Sequence, residues 1–275
     1  MKISIIVPIM SPVNPFDEKL FTQTIKECSA QNYQDIEILV VTNLANLPKD
    51  RISNREIKYI DYQESDFGKL MAQAVSASQG DYLFFKSLSA RIGEDLIEEM
   101  VEATENAHYP LIKVQVAHME PNLNLQEKYV LSIPEVFDYL EMRSIFRDSL
   151  NQLWTGLYHR SLFQKVPYPQ QVLSGYEEVA FKMLEVAQQV VFLQKSSYQA
   201  QEEVLNKNLF LLIEFIQAFE KRKVDYQKAG LPYAIMDYRI FHLINELIKH
   251  PSFEQLDCTK QSYYRGKYVG LVLKL

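Results

Sequence analysis

The first stretch of the chain decides the order of its elements: residues 2–42 read KISIIVPIMSPVNPFDEKLFTQTIKECSAQNYQDIEILVVT. Two short apolar runs, Ile3–Val7 and Ile36–Val41, enclose a segment whose apolar side chains recur at helical spacing. Short apolar runs are typical of buried strands, and a helix that connects two of them makes the strands parallel. The stretch therefore predicts a βαβ unit whose helix has Asn14 as its N-cap and Pro15 at its first position.

Strands and helices continue to alternate up to about residue 117. We expect strands over Glu56–Ile60, Asp81–Phe85 and Leu111–Ala117, and helices that begin near Phe67 and Asp95. Such an alternation predicts an α/β protein with a mostly parallel sheet flanked by helices.

Beyond residue 118 the pattern changes. The polar segment 119–135 contains two prolines and predicts a long connection. A helix is expected over Glu177–Gln189 and a strand over Val190–Gln194, whereas the pattern after about residue 202 is helical throughout. We therefore predict two domains: an α/β domain over residues 1–200 and a C-terminal α-helical annex over residues 201–275.

Composition narrows the function classes. The 275 residues include 29 basic and 35 acidic side chains, a net charge of −6, which argues against binding to nucleic acid. Cys28 and Cys258 lie far apart and in no metal-binding spacing, so a reducing compartment, and hence a cytoplasmic location, is expected.

Two segments bear on membrane association: the apolar run near the start of the sequence and the basic, aromatic tail. The apolar run near residue 3 is too short for a signal peptide, and no run is long enough to span a bilayer. The tail from Lys260 to Leu275 mixes cations with tyrosines, a composition that suits a membrane interface. Peripheral membrane contact through this tail and a docked terminal helix or strand both stay open.

Six stretches of the sequence match motifs of a known family. They are Ile5–Pro8, Cys28–Ile38, Gly68, Gly80–Phe85, Leu153–Phe163 and Tyr176–Glu178. In this order they resemble the family 2 glycosyltransferases of the GT-A fold, over residues 2 to about 198. The resemblance implies a GT-A, Rossmann-like sheet and a donor that is a nucleotide-diphosphate sugar.

The positions at which this family binds its donor carry other polar residues here. The resemblance places the donor at Pro8, Ser11, Thr42, Asn43, Gly68, Ser87, Ser89 and Arg91. Ser87 and Ser89 stand where the family has the Asp-x-Asp motif, whose carboxylates hold a divalent cation on the diphosphate. Thr42 and Asn43 likewise replace carboxylates, and Ser11 replaces an asparagine. Because Mg²⁺ and Mn²⁺ prefer anionic oxygen ligands, we expect neither as a cofactor and no metal ligands.

A fixed cation is one substitute for the missing metal. If the strand that ends near Phe85 continued, Arg91 would share a face with Ser87 and Ser89, and Lys86 would point to the opposite face. A guanidinium can grip two phosphate oxygens, so Arg91 is our candidate for the diphosphate. The alternative is a solvated arginine at the end of a strand.

The resemblance also assigns the reacting end of the site. It places the catalytic base at Glu178, which would deprotonate an acceptor hydroxyl in an inverting displacement. Glu177 and Trp154 are the expected acceptor-binding residues, with the indole ring stacked on a sugar. Each assignment has a structural alternative, because acids favour the first turn of a helix and a single tryptophan is often part of a core.

Two functions from different classes remain. The first is an inverting transferase in polysaccharide biosynthesis that moves a hexose from a nucleotide-diphosphate sugar to a glycan or glycoprotein, through an altered, metal-independent site. The alternative is a pseudoenzyme: a catalytically silent GT-A-like protein that acts as partner or regulator of another glycosyltransferase and binds nucleotide sugar weakly or not at all.

Overall fold

The computed structural model describes residues 1–9, 16–44, 47–48, 55–62, 66–114, 128–132, 135–136, 153–166, 168, 175–193, 197–200, 209–230 and 233–273. They fall into two compact units, the first containing the described residues up to 200 and the second those from 209 onward.

A mostly parallel sheet is the centre of the first unit. Its strands are β1 (Ile3–Ile9), β2 (Ile36–Thr42), β3 (Ile57–Asp61), β4 (Tyr82–Phe85), β6 (Leu111–Val114), β7 (Lys128–Ser132), β8 (Gly156–His159) and β9 (Gln189–Leu193). Their spatial order is β3-β2-β1-β4-β8-β6-β9-β7. All run in one direction except β7 and β8, which pair antiparallel with their neighbours. This is the predicted mostly parallel sheet.

Helices of the same unit flank the sheet. They are α1 (Glu18–Ser29), α2 (Phe67–Ala77), α3 (Leu96–Ala103), α4 (Ser161–Lys165) and α5 (Gly175–Ala187), with a 3-10 helix over Leu153–Thr155. Strand β1 is buried along its whole length, as expected for a parallel strand covered on both faces. Phe21, Ile25 and Cys28 recur at helical spacing on α1 and are all fully buried.

Helix α1 begins later than the sequence predicted. Its N-cap is Asp17, whose carboxylate accepts hydrogen bonds from the amides of Lys19 and Leu20 at 2.8 and 3.1 Å. The prediction that Asn14 caps this helix, with Pro15 in its first turn, is therefore wrong. Those two residues lie outside the described part of the chain.

Four strands were missed. No strand was predicted over residues 153–163, where β8 lies. Strand β7 lies inside the segment 119–135 that was predicted as a connection, and it pairs with β9. Four of its five side chains are exposed or half-buried, so it shows little apolar pattern. Two further strands, β5 (Ala90–Ile92) and β10 (Tyr198–Ala200), pair antiparallel in a separate small sheet. Three residues are too few to show a period in the sequence.

Arg160 ties β8 to the edge of the sheet at which the parallel strands begin. Its guanidinium donates hydrogen bonds to the carbonyls of Gly80 and Val75, at 2.8 and 3.2 Å, and to the hydroxyl of Ser78, at 2.9 Å. Strand β8 is thereby fixed beside β4, although about seventy residues separate the two in the sequence.

The second unit is helical. It contains α6 (Leu209–Ala229), α7 (Ala234–Lys249), a 3-10 helix (Phe253–Gln255) and α8 (Cys258–Val272). Helix α7 packs against both α6 and α8, and Lys223 pairs with Asp237 across α6 and α7 at 2.5 Å. Within the described residues, no helix combines the length and apolarity needed to cross a bilayer. Membrane contact through the tail stays a prediction.

Candidate active site

Four neighbouring parallel strands end at one edge of the main sheet. The register pairs Ile9 at the end of β1 with Thr42 at the end of β2, and Thr42 with Asp61 at the end of β3. On the other side of β1, the amide of Lys86, just after β4, donates to the carbonyl of Ile6 at 2.8 Å. Ligands of open α/β sheets bind outside this carboxyl edge, so it is the candidate site.

The described donor residues predicted on or just after the first two strands lie at this edge or next to it. Pro8 is buried in β1 beside Val41 of β2. Thr42 is buried, and its hydroxyl accepts a hydrogen bond from the Leu44 amide at 3.0 Å, which shapes the turn that carries the half-buried Asn43. The structure thus brings Pro8, Thr42 and Asn43 together. Ser11 lies outside the described residues.

Gly68 lies in the first turn of α2 and is buried. This helix is capped by Asp66, whose carboxylate accepts a hydrogen bond from the Lys69 amide at 3.0 Å. Free amides and the positive end of the helix dipole make such a first turn favourable for an anion. Contact between Gly68 and the donor remains a prediction.

Ser87 and Ser89 lie in the tight turn between β4 and β5. Their hydroxyl oxygens are 2.8 Å apart and share a hydrogen bond, and the Ser87 hydroxyl also accepts from the Ser89 amide at 3.3 Å. Both residues are half-buried. The structure therefore joins the two serines into one polar element next to the carboxyl edge.

A buried ion cluster lies under this turn. Lys86 has no exposed surface, and its ammonium donates hydrogen bonds to the carbonyls of Ser87, at 2.7 Å, and Ala90. The carboxylate of Glu27 on α1 is 3.6 Å from that ammonium and 2.5 Å from Nε of Arg91. Burial lowers the pKa of Lys86, and the Glu27 carboxylate partly offsets this.

The same cluster corrects the reasoning about Arg91. Strand β4 ends at Phe85 and does not continue, because the chain turns at Leu88 and Ser89 and then enters a different sheet. The assumption that Arg91 shares a face with the two serines is therefore wrong. Its guanidinium already pairs with Glu27, so we leave Arg91 out of the donor site proposed below.

Trp154 lies next to the carboxyl edge, because β8 runs antiparallel to β4. Leu157 pairs with Phe84, so the 3-10 helix that precedes β8 lies beside the end of β4. The Trp154 side chain is 6% exposed, which favours the packing role over sugar stacking. Contact with an acceptor remains a prediction that only a small part of the ring can fulfil.

Lys113 is a buried residue at this edge that sequence reasoning missed. Its ammonium donates to the hydroxyls of Tyr158, at 2.8 Å, and Thr155, at 3.3 Å, and lies 5.2 Å from the centre of the Tyr158 ring. Burial holds the pKa of Lys113 well below its usual value of 10.5. A lysine inside the apolar run Leu111–Val114 was the available signal.

Glu177 and Glu178 lie in the first turn of α5. This helix leads directly into β9, which runs parallel to β6 and ends at the carboxyl edge, so the helix begins near that edge. Helix α5 also packs against the 3-10 helix that carries Trp154. The backbone therefore places Glu177, Glu178 and Trp154 in one neighbourhood, and the roles of the two carboxylates remain predictions.

The residues at the serine turn do not fit a divalent cation. The two side chains that the resemblance assigns to the Asp-x-Asp positions are neutral hydroxyls bonded to each other, and an ammonium lies directly behind them. Mg²⁺ and Mn²⁺ bind carboxylates far better than neutral hydroxyls. In the described part of the chain, no three histidine, cysteine, aspartate or glutamate side chains come close enough to hold a metal.

This sheet order, together with a candidate site at the carboxyl edge, defines the class of the fold: the chain has the GT-A fold of nucleotide-sugar glycosyltransferases. No protein-family model matches the sequence, and no curated protein does.

Solved structures do match. Residues 1–349 of S. aureus TarS in complex with UDP-GlcNAc match with a TM-score of 0.61 and 15% identity, over 98% of this chain and 79% of that one. Glucosyl-3-phosphoglycerate synthase from Mycobacterium tuberculosis, in complex with Mn²⁺, UDP-glucose and phosphoglyceric acid, matches with a TM-score of 0.56 and 10% identity, over 85% and 81%. A longer TarS structure, at 0.59 and 17%, is matched over 92% of this chain, which spans 44% of its length. At these identities the likeness shows the fold.

Proposed function

We propose that this protein is an inverting glycosyltransferase that uses a nucleotide-diphosphate sugar without a metal ion. The proposal rests on the arrangement at the carboxyl edge. The pairing of the strands brings three polar segments to this edge: the Ser87–Ser89 turn, the Thr42–Asn43 turn and the first turn of α5. The TarS and glucosyl-3-phosphoglycerate synthase structures, which have the same fold, are complexes with UDP-GlcNAc and with UDP-glucose.

In this proposal the nucleoside lies against the turn after β2, and the diphosphate lies on the serine turn. The hydroxyls of Ser87 and Ser89 donate hydrogen bonds to phosphate oxygens, and the hydrogen bond that they now share is given up. Hydroxyl donors to an anion supply part of the stabilisation that a cation would supply.

Glu178 is the proposed catalytic base. The acceptor hydroxyl oxygen forms a bond to the anomeric carbon on the face opposite the diphosphate, while the bond from that carbon to the diphosphate oxygen breaks. The hydroxyl proton moves to the Glu178 carboxylate, and the nucleoside diphosphate leaves with the bonding electrons. The product is a glycoside of inverted configuration, with a hexose on a glycan or glycoprotein acceptor.

A binding and turnover assay tests the proposal. The wild type is titrated with UDP-GlcNAc, UDP-glucose and GDP-mannose, with and without EDTA, and donor hydrolysis or transfer is measured. We expect saturable binding that EDTA does not change. A donor present at 100 times its Kd would stabilise the fold by about 2.7 kcal/mol, which a thermal shift detects.

Glu178→Gln is the first variant to test. Glutamine keeps the size of the side chain but cannot accept the proton, so transfer falls by about 10²–10⁴-fold while donor binding stays within twofold. Lys58→Met, on the exposed side of β3, is the control and keeps full activity. Equal turnover by Glu178→Gln and wild type contradicts the assignment of the base.

The second candidate is a catalytically silent partner of another glycosyltransferase. The neutral serine turn above a buried ammonium favours it, since hydroxyls stand where the resemblance places metal-binding carboxylates. Absence of both binding and hydrolysis in the wild type at millimolar donor selects this function. The acceptor and the cytoplasmic location stay predictions.

A further inference from the structure

The serine turn is fixed from behind by side chains that do not reach the candidate site. The Lys86 ammonium binds the carbonyl of Ser87, the first residue of the turn, at 2.7 Å, and also the carbonyl of Ala90, its last residue. The amide of Ala90 donates back to the Ser87 carbonyl at 3.4 Å. One buried cation thus closes both ends of the turn.

A carboxylate on helix α1 holds the Lys86 ammonium in place. One oxygen of the Glu27 carboxylate, which is 9% exposed, lies 3.6 Å from the Lys86 ammonium, and that oxygen accepts a hydrogen bond from the Ile92 amide at 3.3 Å. The other oxygen pairs with Arg91. The Glu27 carboxylate thus links Lys86 and Arg91 beneath the turn.

We propose that Lys86 is a positioning residue that holds the Ser87–Ala90 turn in the shape that receives the donor diphosphate. The inference rests on the proposed function, which it deepens by naming what replaces the structural part of a metal's role. Lys86 is itself fully buried and does not touch the donor. It acts through the two carbonyls, which set the directions of the Ser87 and Ser89 hydroxyls.

The first arm of the test needs no ligand. Hydrogen exchange at the amides of Ser89 and Ala90 is measured in the wild type, Lys86→Met, Lys86→Arg and Lys58→Met. We expect exchange to rise at least tenfold in Lys86→Met and less in Lys86→Arg, which keeps the charge. Lys58→Met should match the wild type, and the Leu44 amide, in the other turn of the site, should not change in any variant.

The second arm measures binding of UDP and GDP, each compared with its own nucleoside. Lys86→Met should weaken the diphosphate by about 10- to 100-fold, as is typical when a partner that orients a site's ligands is lost. Nucleoside affinity should stay within twofold, because the turn after β2 does not depend on Lys86. A residue that is merely structural would weaken nucleoside and diphosphate equally.

The outcomes separate the two proposals. Wild-type binding with equal diphosphate affinity in Lys86→Met, or unchanged exchange at Ser89 and Ala90, overturns the positioning role and leaves the proposed function standing. No nucleotide binding by the wild type overturns the proposed function and the donor part of this inference, and the exchange arm still decides whether Lys86 holds the turn. If Lys86→Met does not fold, Glu27→Gln keeps the lysine, weakens its anchor, and should show both effects in milder form.

Discussion

Lys86 and Lys113 are both fully buried in the first unit, yet their surroundings treat the positive charge differently. Lys86 lies beside the Glu27 carboxylate, which favours the charged form and partly offsets the lowering of its pKa by burial. Lys113 donates to the hydroxyls of Tyr158 and Thr155, and burial lowers its pKa much further. The surroundings of Lys113 therefore disfavour the charged form more than those of Lys86 do.

The largest expected effect on stability is that of Lys86→Met. Removing one partner of a buried pair leaves the other charge poorly compensated, and about 3 kcal/mol of the free energy of unfolding should be lost. Urea denaturation measures the loss. A change below about 0.5 kcal/mol would mean that Glu27 and Arg91 alone account for the cluster, and the contrast with Lys113 would disappear.

Lys113→Met should raise the free energy of unfolding, whereas Lys86→Met lowers it. Methionine fills a similar volume and has no amine whose protonated form burial disfavours, so the variant should be about 1 kcal/mol more stable than the wild type at pH 7. Because the pKa of Lys113 is lower in the folded state than its usual 10.5, the unfolded state binds more protons between those two values. Wild-type stability therefore rises with pH in that window, by at most about 1.4 kcal/mol per pH unit.

The stability advantage of Lys113→Met should accordingly shrink as the pH rises from 7 toward 9. Urea titrations of both proteins at each pH measure it, and the contribution of Lys86 cancels because both proteins keep that residue. An advantage that stays constant or grows with pH would show that Lys113 is not destabilised by its burial.

Arg91→Ala should have the smallest effect. The Arg91 side chain is 40% exposed, so solvent and salt screen its pairing with Glu27, and the loss should stay below about 1 kcal/mol. This loss of stability should become smaller in high salt, whereas the loss in Lys86→Met should not. Diphosphate affinity should change less than twofold, and a tenfold loss would restore Arg91 to the donor site.

The sequence was most informative where burial is continuous. The apolar runs of β1, β2 and β4 predicted these strands within two residues, and the family resemblance placed Thr42 and the two serines just after them. Reasoning from alternation failed at Arg91, because the chain turns after β4 and enters a different sheet, and no period in the sequence shows such a turn. The pairing of Lys86 with Glu27 joins residues that are distant in the sequence, so only the packing of α1 against β5 reveals it.

The central position of β8 has a consequence for biosynthesis. Strand β4, with the sequence Tyr-Leu-Phe-Phe, has β1 on one side, and its other side is closed only when residues 156–159 have been made. A nascent chain or a truncated product that stops before residue 156 leaves this apolar edge and that of β6 without the strand between them. Apolar strand edges that lack a neighbouring strand pair readily with strands of other chains. We therefore expect a chain that ends shortly before residue 156 to aggregate and not to form a smaller folded domain.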